Sequence, residues 1–155
     1  MSISDFPMHF DPTVESIYAF DLMSTPVVSL QSGAQLHEVL DAVMASGLGT
    51  VPVLDNAGTV VALVTEESVA KAEMLGLWSG GVSWSDVTLA KRMTAAVFHF
   101  AEPAASVTIH TRLTDIVDVM LSKGLRAIPV VSNGQLCGMV SWRNIFAAMM
   151  RSHGG

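Results

Sequence analysis

Cysteine is almost missing: Cys137 stands alone among 155 residues, with no CxxC context. That excludes an intrachain disulfide and the paired thiols of a structural zinc site. Basic residues are scarce. Eight Lys plus Arg against fourteen Asp plus Glu give a formal charge of −6, the wrong balance for nucleic acid, whose binding rests on neutralising many phosphates. A single small anion remains compatible. No apolar run approaches the roughly 18 residues that cross a bilayer, and the first ten residues lack the basic and apolar regions of a secretory leader. A cytoplasmic protein without a membrane partner is expected. The five histidines (His9, His37, His99, His110, His153) show no close ligand spacing. Neither a Ser-His-Asp or Gly-x-Ser-x-Gly arrangement nor a phosphate-cradling glycine loop is visible, so no metal site, covalent cofactor or catalytic residue is expected, and no enzyme.

What is abundant is hydrophobic sequence, 50% of the chain, and it is organised as a repeat. The stretch 124–144 combines a turn, two short strands and a helix start, and it has an earlier copy. Residues 36–56 align on 113–133 at one offset, with seven of 21 pairs identical: Leu36/Leu113, Asp41/Asp118, Gly47/Gly124, Leu48/Leu125, Pro52/Pro129, Val53/Val130 and Asn56/Asn133. After a one-residue deletion the register continues through Gly58/Gly134, Val64/Val140 and Thr65/Ser141 to Ala72/Ala148. With its two Met-Ser/Thr openings (Met23-Ser24, Met93-Thr94), two helix-Gly-x-x-x-hydrophobic-Pro-Val segments and a closing Gly-x-hydrophobic-Ser/Thr-x-x-Asp/Asn segment, complete at 138–144 and in register but altered at 62–68, the chain resembles a stand-alone tandem pair of cystathionine β-synthase (CBS) domains, a Bateman module. The resemblance covers roughly residues 19–150. It implies a regulatory module that commonly binds adenosyl nucleotides and pairs into flat homodimers.

The expected fold is α/β: two β-α-β-β-α repeats related by pseudo-twofold symmetry and packed as one module, since halves of this size would struggle to bury separate cores. The expected organisation is 1–18 extension and leading helix, 19–74 first repeat, 75–88 linker, 89–151 second repeat and 152–155 tail. Asp11-Pro12 resembles an N-cap followed by an N1 proline opening the leading helix. Ser32 to Gln35 fits a capping box ahead of apolar residues at helical spacing from Leu36, and Gly47 stops that helix. Strands follow at 50–54 and 59–64, then a Thr65-capped helix to about Met74. The uncharged, glycine-rich 75–85 is read as the linker, with Trp78 and Trp84 packed down on the module and a helical turn at 85–91. In the second repeat Met93 to Leu113 spans seven residues more than Met23 to Leu36, which places an insertion near 99–106. The entry strand there is 107–109, Thr111 caps the following helix, and a last apolar helix covers 144–151.

A hydroxyl at a strand end and an amide one helical turn later, Ser141 and Asn144, can both reach a sugar diol. Ser141 can equally serve as a plain helix cap. In the resembling family the matching Ser/Thr and Asp hold ribose, and a basic residue at the place of Arg126 approaches phosphate. Pro129, like Pro52, cannot donate to a ladder and is expected at an edge or strand end, leaving the Ile128-Pro129-Val130 backbone to read an adenine edge with Thr108 and Val130 beside the base. The first repeat departs from this pattern. Ala62 replaces the glycine, Ser68 the Asp/Asn and Gly49 the basic residue, while Glu66 and Glu67 fill the helix start where a phosphate would use the dipole. One competent cleft per chain is expected, for AMP, ADP, ATP or S-adenosylmethionine. The output is then an effector protein or the chain's own homodimer. Two other readings stay open: an interaction module with empty clefts, and a divalent-cation sensor built on Asp and Glu around the first cleft.

Overall fold

The computed structural model describes residues 16–78 and 96–153. Asp11-Pro12, Trp84, the turn expected at 85–91 and Met93-Thr94 lie outside them. The elements are α1 (Ala19–Leu22), β1 (Leu30–Gln31), α2 (Leu36–Ser46), β2 (Thr50–Leu54), β3 (Val60–Thr65), α3 (Glu66–Trp78), a 3-10 turn (Val97–His99), β4 (Ala101–Pro103), β5 (Val107–Thr108), α4 (Leu113–Lys123), β6 (Ala127–Ser132), β7 (Gln135–Ser141) and α5 (Trp142–His153). Both repeats therefore run β-α-β-β-α. Helix α3 continues through Trp78, four residues beyond the expected end at Met74.

Local chemistry sets the boundaries. Gly47 and Gly124 end α2 and α4 in the left-handed conformation, φ 66° and 63°, which a residue without Cβ adopts freely. Asn133 and Gly134, φ 51° and 77°, form the two-residue turn with both φ positive that matches the twist of the β6–β7 hairpin. In the β2–β3 hairpin Asp55 Oδ1 accepts from the Ala57 and Thr59 N–H groups, both at 2.9 Å. The expected caps at Ser32 and Thr111 are not formed. Gln35 and Arg112 hold the N-cap positions without side-chain bonds, and Thr111 Oγ1 instead accepts from the Thr108 N–H at 3.0 Å.

Two sheets result, ordered β1-β2-β3-β4 and β5-β6-β7. Each Pro-Val strand pairs in parallel with its repeat's entry strand and antiparallel with the strand that follows it. Pro52 and Pro129 thus lie inside central strands, contrary to the expectation of an edge or strand end. Pro129 faces Met139, whose N–H and C=O both bond Ser24 on the outer side, at 3.1 and 2.8 Å. The missing donor of Pro129 therefore points toward β5, whose pairing begins only at Val130, and no ladder bond is lost.

The repeats exchange their opening segments. Strand β4, which opens the second repeat, pairs with β3 of the first, Leu63 facing Glu102; reciprocally Ser24 of the first bridges Met139 of the second. Tyr18 bridges Arg112 as Gln35 bridges Ala96. These pairs make Glu102 the counterpart of Ser24. Leu36 follows Ser24 by 12 positions and Leu113 follows Glu102 by 11, so 99–106 is the opening element of the repeat and not an insertion. The insertion follows only from matching Met93 to Met23, and the pairing of β4 with β3 does not support that match.

The core follows from this exchange. Its larger cluster joins Ala19, Leu22, Val60 and Leu63 of the first repeat to Leu113, Ile116, Met120, Ile128, Val130, Val140 and Ile145 of the second. A smaller one gathers Leu30, Val39, Val51, Val53 and Val64 of the first repeat with Val97 of the second. Neither repeat closes its core alone.

Candidate functional site

Each repeat delivers a strand end into a helix start, and the two junctions differ in chemistry. At the second, from β7 into α5, the Ser141 N–H and Oγ both donate to Asn144 Oδ1 at 2.8 and 3.0 Å. The Asn144 N–H donates back to Ser141 Oγ at 3.3 Å. This reciprocal box caps α5. It commits one end of the Asn144 amide and leaves the NH2 end without a partner among the described residues. Ser141 is buried and Asn144 half-buried.

At the first junction, from β3 into α3, the Thr65 N–H donates to Ser68 Oγ and the Ser68 N–H to Thr65 Oγ1, both at 2.9 Å. The box is the same, but Ser68 Oγ also lies 2.6 Å from the Phe100 carbonyl, as donor. Ser68 is buried and Phe100 is 1% exposed. The opening segment of the second repeat thus seals this junction, whereas at the second the Asn144 NH2 meets no acceptor among the described residues.

The other expected site residues are not all brought to Ser141 and Asn144. Thr108 lies on β5, the outer strand opposite β7, and pairs with Val131, whereas Ser141 pairs with Ala127. Four residues of strand, about 13 Å, separate those levels of β6. Its hydroxyl stands 3.2 Å from that of Thr111. Ile128 and Val130 are fully buried in the core beneath the helices, so their side chains present nothing to a ligand. Pro129 is buried on the other face of β6.

Arg126 is adjacent in backbone, its carbonyl accepting from the Trp142 N–H at 3.3 Å, yet its guanidinium is held elsewhere. Nη2 donates to Glu67 Oε1 at 2.7 Å and Nη1 lies 3.6 Å from Glu66 Oε2. The expected free cation is therefore ion-paired to the first repeat. Two carboxylates attract it, and Gly49, φ +73°, leaves the path open: a Cβ there would stand 3.1 Å from Arg126 Cδ.

Arg143 was not anticipated. It is exposed in the first turn of α5 and, among the described residues, has no hydrogen-bond or ionic partner. A cation at a helix N-terminus opposes the dipole and is easily taken for a solvated residue. The signal was its register: Arg143 stands where Glu67 stands in the first repeat, as Ser141 does for Thr65. The acidic start of one helix is a basic start in the other.

Gly138 contributes packing. A Cβ there would stand 2.8 Å from Met23 Sδ and 2.9 Å from its Cβ and Cγ. In the first repeat Ala62 holds this place, facing Pro103 of β4.

Paired β-α-β-β-α repeats with exchanged openings and two matching capped junctions define a tandem module, and the CBS domain profile matches it at residues 19–75 and 97–151. The chain belongs to the CBS domain family. A curated relative, an uncharacterised 17.7 kDa protein in the bps2 3′ region of Acidianus ambivalens, is 29% identical over 133 residues, covering 85% of this chain and 73% of that one. Among solved structures, CBSX2 in complex with AMP superposes with TM-score 0.65 at 22% identity, covering 86% of this chain and 97% of the other. The CBS domain pair of MJ0100 in complex with 5′-methylthioadenosine and S-adenosyl-L-methionine gives TM-score 0.67 at 16% identity, covering 88% and 98%. At those identities the likeness is one of fold. Among the described residues no helix is long and apolar enough to cross a membrane.

Proposed function

We propose that this CBS pair is a regulatory module that takes an adenosyl nucleotide (AMP, ADP, ATP or S-adenosylmethionine) at the second-repeat junction and passes the signal to an effector protein or through its own homodimer. The single observation that carries the reading is the contrast between the junctions: the Ser68 hydroxyl is sealed against Phe100, whereas the Asn144 NH2 has no partner among the described residues. Ser141 and Asn144 are assigned to the ribose and Arg143 to the charge beyond it. Arg126 joins when it leaves Glu67. Thr108, Ile128, Pro129 and Val130 are given no ligand contact in this reading, since Thr108 pairs four strand residues away from the Ser141 level and the other three are buried in a strand paired on both sides. Solved CBS pairs of the same fold in complex with AMP and with S-adenosylmethionine support the ligand class.

The divalent-cation reading loses ground to one contact, since Arg126 already holds the two carboxylates at the first helix start. The interaction-module reading keeps a specific observation. Phe146 and Met150 on α5 are 55% and 75% exposed, an apolar face suited to a second copy or an effector.

A thermal-shift panel with AMP, ADP, ATP, S-adenosylmethionine and NAD decides between them. Protection by at least one adenosyl ligand, growing with concentration as linkage requires, is expected. A flat response across the panel would leave the interaction module.

A further inference from the structure

The ion pair between Arg126 and the first helix start joins the two repeats and holds the cation assigned to the ligand's phosphate against the chain's own carboxylates. Glu67 makes the short contact, 2.7 Å, and Glu66 the longer one, 3.6 Å. All three side chains are about half exposed, at 57%, 51% and 52% for Arg126, Glu67 and Glu66. The pair is therefore one that solvent can exchange. The Arg126 backbone stays fixed, its carbonyl accepting from the Trp142 N–H at the start of α5, and Gly49 lets the side chain lie across the first repeat.

We propose that Glu67, assisted by Glu66, is a built-in competitor for the Arg126 guanidinium, so that the phosphate of a bound nucleotide gains Arg126 only by displacing a carboxylate. A phosphate offers the guanidinium two oxygens on one group, so a single phosphate can take the place of the separate oxygens of Glu67 and Glu66. The consequence is selective. A phosphorylated adenosyl ligand works against the carboxylates, whereas one without phosphate is unaffected by them. Because the pair crosses between repeats, the same exchange breaks an inter-repeat tie, which links nucleotide occupancy to the contact between the two halves. This inference rests on the adenosyl reading above.

The test is calorimetry with AMP and with adenosine on the wild type, Glu66→Gln/Glu67→Gln and Arg126→Gln, with thermal unfolding confirming that each variant is folded. The exposed pair limits the effect to about fivefold. In Glu66→Gln/Glu67→Gln, AMP is expected to bind up to about fivefold tighter with adenosine unchanged. In Arg126→Gln that AMP preference is expected to fall. AMP binding to wild type and to the double Gln variant with equal affinity overturns the competitor alone, as does equal tightening of AMP and adenosine. Absence of binding by either ligand to any form overturns both the competitor and the adenosyl reading.

Discussion

Ser68 and Asn144 occupy the same place in the two repeats, yet one hydroxyl and one amide lead to different junctions. Ser68 Oγ accepts from the Thr65 N–H and donates to the Phe100 carbonyl in a buried setting. Ser68→Ala removes both partners at once and is expected to cost about 1–3 kcal/mol through the unpaired groups left behind, measured by urea denaturation. Thr50 presents the opposite case. It is 1% exposed, and its Oγ1 has no hydrogen-bond partner among the described residues. By strand alternation it points away from Val51 and Val53, which face α2. Thr50→Val replaces that hydroxyl by a methyl of the same shape, and stability is expected to rise by about 1 kcal/mol; a loss would mean that the hydroxyl has a partner, such as a buried water.

At the scale of elements, helix periods and turn residues were legible: Gly47, Gly124 and the Asn133-Gly134 turn punctuate the chain where the backbone needs positive φ. What the sequence hid was which segment opens the second repeat. Met93-Thr94 imitates Met23-Ser24 in letters, whereas the structural counterpart is set by β4 pairing with β3, three residues without side-chain periodicity. Long-range pairing decided the register, and local pattern could not. The direction of Arg126 was hidden for the same reason, because its partners lie 59 and 60 residues away in sequence. The Ser/Thr-x-x-Ser/Asn boxes, by contrast, are local and were visible as caps. Gly138 matters at this scale as the place where the exchanged opening crosses β7. Gly138→Ala drives a Cβ into Met23 at under 3 Å and is expected to cost about 1–3 kcal/mol as overpacking. Adding Met23→Ala to that variant is expected to recover part of the loss, a non-additive coupling that a double-mutant cycle measures.

For the whole molecule, exchange of openings explains why two short repeats behave as one. The larger core cluster draws on both, so each half is incomplete without the other, as their size demands. The apolar face of α5 extends the same logic outward. Phe146 stacks on Trp142 at 6.2 Å yet remains more than half exposed. A homodimer is accordingly expected in light scattering at micromolar concentration, and Phe146→Glu is expected to shift it toward monomer. A wild-type monomer would remove the homodimer as the route of signalling and leave the effector protein.

On the proposed reading the adenosyl ligand enters at the second-repeat junction and not at the first. Calorimetric titration of AMP into the wild type and Asn144→Asp tests it most directly. The aspartate keeps the acceptor that Ser141 requires and offers a second, charged one to the ribose. The charged-over-neutral difference of about 1 kcal/mol predicts one site per chain that becomes about fivefold tighter in the variant. Two equal sites per chain, or one site indifferent to Asn144→Asp, would contradict the account.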